Sequence, residues 1–181
     1  MTEKIFNLAR GALNLIARYR VYIYMFIIAL VLLWFVVSPG HINGDSMYPA
    51  LNDGDIIIRD KIIYKLHGPE RYDIVVFRSD DEEQPYYIKR VIGLPGERIR
   101  ISEEGEVYIN GELLEENFWG GPLDDAGIAE EEITLGEDEV FCLGDNSQAS
   151  LDSRYFGPVK ISDIEYHCYM RVWPLNKIGL I

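Results

Sequence analysis

Cysteine is scarce in this chain of 181 residues, which has only Cys142 and Cys168. Both fall in apolar, strand-like stretches (VFCLGD and YHCYMRV), a placement that reads as two buried thiols; whether they pair stays open at this stage. Histidine is almost as rare, and His41, His67 and His167 are scattered without metal-ligand spacing, so no metal is expected and no small-molecule cofactor is implied. Positive charge is outweighed: the formal net charge is -13, and an acidic body repels phosphates, which excludes nucleic acid as a partner. Internal repeats and low-complexity tracts are absent, while 48% hydrophobic content is enough for a real core.

Charge is missing altogether from Val21 to Ser38 (VYIYMFIIALVLLWFVVS). That run is close to the ~20 residues that cross ~30 Å of hydrocarbon as a helix, and Tyr22, Tyr24 and Trp34 lie towards its ends, where amphipathic rings favour the interface. A cleaved export signal has a similar outline, but its apolar run is usually only ~7 to 15 residues, and here Pro39 would follow the scissile bond. The run therefore reads as a transmembrane helix over 21–38. Residues 1–20 carry Lys4, Arg10, Arg18 and Arg20 against Glu3, a net of +3, which keeps the N-terminus cytoplasmic and sends 39–181 to the other face of a cell membrane in a single pass. Within 1–20, Ile5, Leu8, Ala9, Ala12, Leu15 and Ile16 recur at helical spacing opposite Lys4, Arg10 and Arg18, the pattern of an amphipathic segment lying on the lipid bilayer.

Past Pro39 and Gly40 the pattern changes to short β-rich runs: 55–60, 72–78, 86–93, 97–101, 106–109, 139–143 and 164–173. Asn110-Gly111 between VYI and ELL is a hairpin turn signal. The fold expected is mainly β, an antiparallel β domain preceded by one N-terminal transmembrane helix. Residues 115–138 are acidic and turn-rich and read as a solvated excursion between strands.

Three segments of the β-rich part hold chemistry. Gly44-Asp45-Ser46-Met47-Tyr48-Pro49 puts a serine just beyond the apolar run, although a serine in such a stretch is by itself only a turn residue. Tyr86–Gly96 (YYIKRVIGLPG) carries a lysine inside a strand-like run, where two-residue alternation sets Lys89 on a face with Tyr87 and Val91 and turns Arg90 to the opposite face with Ile88 and Ile92. Only one of these two cations can face a given site; the other is solvated or snorkels. In Gly144–Gly157 (GDNSQASLDSRYFG), Ser150, Asp152 and Arg154 alternate, so an extended segment would bring them to one side, with Asp152 and Arg154 able to pair.

The order and spacing of INGDSMYPALNDGD, YDIVVF, YIKRVIGLPGE and GDNSQASLDSRYFG resemble type I signal peptidases, a family of Ser-Lys dyad peptidases bound to the membrane, over most of the chain beyond the apolar run. The resemblance implies Ser46 as nucleophile, Lys89 as general base, Ser150 as the hydroxyl that orients the lysine, and Asp152 with Arg154 as a supporting ion pair. Asp145 matches a structural aspartate of the family's Gly-Asp-Asn, and Met47 is expected to help shape the substrate cleft. Gly44 stands where some relatives place an oxyanion-binding serine, so the second oxyanion donor is a backbone amide or a water, and Gly44→Ser is expected to keep or raise activity. Ala50 replaces the usual threonine, read as local packing. The substrates implied are signal peptides of exported preproteins, cut after Ala-x-Ala-like sequences and bound as an added β-strand, with the secretion translocon as a candidate partner.

Serine attacks a carbonyl only when a base takes its proton. A lysine with the ordinary pKa of about 10.4 is neutral in roughly one molecule in a thousand near pH 7.4, so Lys89 has to be depressed by about three units. Apolar strand neighbours have the right sign for this, and Arg90 cannot replace it, because guanidinium keeps its proton. A self-cleaving repressor of the same chemistry would lack the membrane run, and a serine-histidine signal peptidase would carry histidine where Lys89 stands. A tethered, catalytically dead peptide-binding domain would be expected to lose Ser46 or Lys89.

Overall fold

The computed structural model describes residues 10, 18–31, 36–79, 82 and 84–181. The chain divides into a unit up to Val37 and a unit from Ser38 to Ile181.

In the first unit, residues 18–31 form helix α1, whose apolar side chains are exposed all round, including Val21, Tyr22, Met25, Phe26, Ile28 and Val31. No helix among the described residues is long and apolar enough to cross a membrane. The expected span over 21–38 is only partly described, because 32–35 lie outside the described residues; residue 36 is helical again. The amphipathic segment expected over 1–20 lies outside them too, apart from Arg10 and the first turn of α1. One boundary is corrected. The expected helix ran to Ser38, but Val37–His41 is strand β1, because Pro39 has no N–H to donate and is tolerated on an edge strand, and β1 stands at the end of its sheet.

In the second unit the strands follow the apolar alternation. After β1 come β2 (Ile56–Asp60), the one-turn helix α2 (Ile63–Leu66), β3 (Ile74–Arg78) and β4 (Tyr86–Gly93). A small group follows, β5 (Arg98–Ile101), β6 (Val107–Ile109), β7 (Glu112–Leu113) and β8 (Ile133–Thr134). The chain then forms β9 (Glu139–Leu143), α3 (Ser153–Phe156), β10 (Val159–Lys160), β11 (Ile164–Trp173) and β12 (Gly179–Leu180). The large sheet runs β1-β2-β11-β3-β4-β9-β10, with β12 also on β11, and the small one β7-β6-β5-β8. Every ladder recorded is antiparallel, as the mainly β reading requires.

The β3–β4 register decides the faces. Val75 pairs with Lys89 and Phe77 with Tyr87, whereas Ile74 pairs with Arg90 and Val76 with Ile88. Residues opposite one another share a face. Val75, Phe77 and Val91 therefore join Val140, Cys142, Val159 and Ile164 in one apolar cluster, and Ile74 and Val76 join Ile42, Met47, Leu51, Ile57 and Cys168 in another. Both cysteines are buried and free.

The hairpin at Asn110-Gly111 forms as the dipeptide demands, with φ of 55° and 86° and Ile109 paired to Glu112. The 115–138 excursion does more than face water. Leu123, Ala129 and Leu135 are buried in a third cluster with Ile99, Ile101 and Phe141, and Ile133–Thr134 pairs with β5. The apolar residues dispersed among its carboxylates give it a buried side that a charge count misses.

Candidate active site

Ser46 sits in a turn held from several sides. Tyr48 N–H donates to Asp45 O at 3.0 Å and Leu51 N–H to Met47 O at 2.8 Å, while Asn146 grips the turn twice, its N–H on Ser46 O at 3.0 Å and its side-chain amide on Asp45 O at 3.1 Å. Gly44, with φ +89°, donates its N–H to Asp53 Oδ1 at 2.8 Å.

Strand β4 brings Lys89 to this turn. Its Nζ lies 2.9 Å from Ser46 Oγ and 2.9 Å from Ile88 O, and the side chain is only 3% exposed. Burial draws its pKa down to about 8, against the pull of the Asp152 and Asp145 carboxylates, which favour the charged amine. Desolvation wins because an ammonium surrounded by Val75, Val91 and Cys142 has lost its water. A cavity of about 460 Å3 opens over the pair, walled by Gly44, Tyr87, Ile88, Ala149 and Leu151.

Arg90 takes the opposite face, as alternation requires, but it is neither solvated nor snorkelling. It is buried, and its Nε and NH2 donate to the two carboxylate oxygens of Asp145 at 2.8 and 2.7 Å, its NH1 to Tyr72 O at 2.9 Å, with the Phe118 ring 4.1 Å away. Burial raises the Asp145 pKa and Arg90 opposes it. Adjacent cations on β4 thus divide into a lone lysine at the cavity and a paired arginine behind it.

Asp152 and Arg154 form a fully buried bidentate pair, with Arg154 Nε and NH2 at 2.8 and 2.9 Å from the carboxylate. The backbone is extended at Ser150 and Asp152 but turns helical from Ser153 to Phe156. Asp152 caps α3, accepting from Arg154 N at 3.3 Å and from Gly144 N at 3.1 Å, and the cap brings the arginine round to its own carboxylate. Arg154 NH2 also donates to Ser147 O at 2.8 Å, and its NH1 to Asp125 O in the acidic excursion at 3.2 Å. Ser150 is buried, and among the described residues its hydroxyl has no hydrogen-bond partner.

Met47 is buried in the core with Ile42 and Leu51, and it does not line the cavity at Ser46. Residue-by-residue reading missed Asn146, Gly144 and Asp53; of these only Asn146, in the Gly-Asp-Asn run, carried a signal of its own. Among the described residues no group of three or more His, Cys, Asp or Glu side chains can hold a metal ion. Chemically, the site places a serine hydroxyl against a desolvated amine that can accept its proton.

A model of the family described as signal peptidase, peptidase S26, matches residues 15–173. The chain is 36% identical over 160 residues to the probable signal peptidase I-2 of Synechocystis sp., covering 86% of this chain and 72% of that protein. It is 37% identical over 157 residues to signal peptidase I of Bacillus caldolyticus, covering 80% and 84%. Among solved structures, a signal peptidase I from Enterococcus faecalis is 33% identical, with a TM-score of 0.44 over 54% of this chain and 93% of that one. With the family matched along most of its length, the chain belongs to the signal peptidases of peptidase family S26, which are serine endopeptidases.

Proposed function

We propose that this chain is a membrane-anchored signal peptidase that removes N-terminal signal peptides from exported precursors outside the cytoplasm, with Ser46 as nucleophile and Lys89 as general base. The observation that carries the reading is the 2.9 Å contact between Ser46 Oγ and a lysine that is almost wholly buried.

With its pKa near 8, Lys89 is neutral in roughly one molecule in five at pH 7.4, against about one in a thousand for a free lysine. The neutral amine takes the Ser46 proton as Oγ adds to the scissile carbonyl, and returns it to the leaving nitrogen. The N–H of Ser46 donates to no group among the described residues and is free to meet the oxyanion. Lys89 has three donor hydrogens when charged, of which Ser46 and Ile88 use two; the buried Ser150 hydroxyl, unpartnered among the described residues, is the group proposed to meet the third once substrate is bound. Asp152–Arg154 and Arg90–Asp145 hold the two sides of this arrangement without touching substrate.

The precursor lies as a strand beside Tyr86–Lys89, which pair with β3, whereas the pairing of β4 with β9 begins only at Arg90. Small side chains at the first and third residues before the cut face the Ile88 side. Anchoring rests on the uncharged run Val21–Ser38, close to the ~20 residues that cross ~30 Å of hydrocarbon, with Arg18 and Arg20 at its cytoplasmic end.

The test is cleavage of precursors carrying Ala-x-Ala by the full chain in detergent or lipid, next to Ser46→Ala and Lys89→Ala. Wild type cleaves them and both variants are folded and inactive. Turnover by Ser46→Ala, or efficient cleavage when Leu or Phe stands immediately before the cut, refutes the reading. Protection of 39–181 from protease added to the outer face would refute the topology.

A further inference from the structure

We propose that an aromatic groove on the Lys89 face of β4 is the binding site for the second side chain before the cut, so that this enzyme selects an apolar or aromatic residue at the central position of Ala-x-Ala. The inference rests on the proposed function, which it deepens.

The groove is a cavity of about 350 Å3 walled by Phe77, Tyr87, Leu151, Phe156, Pro158 and Val159. Its rings form one packed unit. Tyr87 and Phe156 stack with centroids 5.8 Å apart and planes 15° apart, and Phe77 meets them edge-on at 6.2 and 6.0 Å. Leu151 and Phe156 are 51% and 41% exposed, although apolar groups of this size are ordinarily covered where a cluster forms.

Two observations tie the groove to substrate. Tyr87 and Leu151 line both it and the cavity that holds Ser46 and Lys89, so the two spaces meet at shared walls. Parity gives the second. Tyr87 and Lys89 lie on the face of Phe77 and Val75, while Ile88 lies on the face of Val76. A cavity of about 200 Å3, walled by Ile42, Ile57, Val76 and Ile88 of that second face and bordered by Tyr86 and Tyr87 where it meets the Ser46–Lys89 cavity, opens there. A peptide added to Tyr86–Lys89 as a strand sends successive side chains to opposite faces. If its first and third residues before the cut go to the Ile88 face, the second goes to the Tyr87 face. There it meets Leu151 and the stacked rings, with Arg78 and Asp163 as a polar rim. An aromatic or long aliphatic side chain fits these walls by offset or edge-on packing; glycine leaves them open to water, and aspartate loses hydration where, among the described residues, the groove's cation is the rim arginine, which Glu165 already engages at 2.5 Å.

The experiment measures kcat/KM of the full chain in detergent for precursors with alanine at the first and third residues and Gly, Asp, Leu or Phe at the second. Wild type is expected to prefer Phe over Gly by about tenfold, the size of effect that burying one aromatic ring gives. In Phe156→Ala the ratio falls to about twofold or less, and in Leu151→Ala, which leaves the ring stack in place, to about threefold. A merely structural role would lower both precursors alike and leave the ratio at its wild-type value; that result, or a wild type indifferent to the second residue, overturns the proposal while the proposed function stands. Failure of wild type to cleave any of the four overturns both.

Discussion

A methyl group on Gly144 would lie 2.2 Å from Ser150 Oγ and 2.5 Å from Ser46 O. Gly144 follows the last residue of β9, Leu143, which pairs with Arg90, so it sits beside the strand position of Lys89. The turn of the proposed nucleophile and the Ser150 segment therefore meet across the one residue without a side chain. Gly144→Ala is expected to lower kcat/KM about 100-fold, because a shift of a fraction of an ångström in Ser46 spoils its attack geometry. Stability should fall by about 1–3 kcal/mol from overpacking. Cleavage assays and urea titration check both, and wild-type turnover would mean that the contact relaxes elsewhere.

The pH–rate profile follows from burial of Lys89. With the lysine at about 8, kcat/KM should rise about tenfold per pH unit on the acidic side and level off above pH 8. Lys89→Arg should be as inactive as Lys89→Ala, since guanidinium does not give up its proton. A profile flat from pH 6 to 9 would point to another base.

Stability should run with the same group. In the unfolded chain Lys89 returns to 10.5, so between pH 8 and 10.5 the unfolded state binds more protons, and stability rises with pH through that window. Below pH 8 the buried charge costs roughly 3 kcal/mol. Lys89→Met, similar in size and neutral, should therefore be inactive yet more stable by about 2–4 kcal/mol at pH 6, with the gain vanishing by pH 10.5. Denaturant unfolding at the two pH values measures this; a variant less stable than wild type at pH 6 would show that the lysine's partners outweigh its desolvation.

Gly44→Ser reverses an expectation drawn from the sequence. An added hydroxyl promised a second oxyanion donor, but Gly44 has φ +89°, and its N–H is tied to Asp53. Nothing lies within 4 Å of the position a Cβ would take, so the obstacle is the backbone conformation itself. Serine there costs about 1–2 kcal/mol, which should appear as lost stability and about five- to tenfold lower kcat/KM as the turn relaxes. Activity above wild type would restore the donor argument.

Much of the fold was legible because it is written in local periodicity. The alternation of Lys89 and Arg90 assigned them to opposite faces of β4, Asn110-Gly111 marked its hairpin, and 164–173 read as the strand that became β11. The serine and lysine drew notice through residue type and spacing, since few side chains can serve as a nucleophile or as a base that loses a proton near neutral pH.

What the sequence by itself determined was the set of chemical groups and, through two-residue alternation, which of them share a strand face. Only the tertiary structure decided their partners. Arg90 found Asp145 55 positions away; Arg154 reached Asp152 through a helix cap; Met47 entered the core and left the cavity wall to Tyr87 and Leu151. The acidic excursion acquired a buried side and a carbonyl for Arg154. These outcomes depend on burial, which is a property of the assembled surfaces: the same lysine is an ordinary cation in the unfolded chain and an amine near pKa 8 once Val75, Val91 and Cys142 have displaced its water.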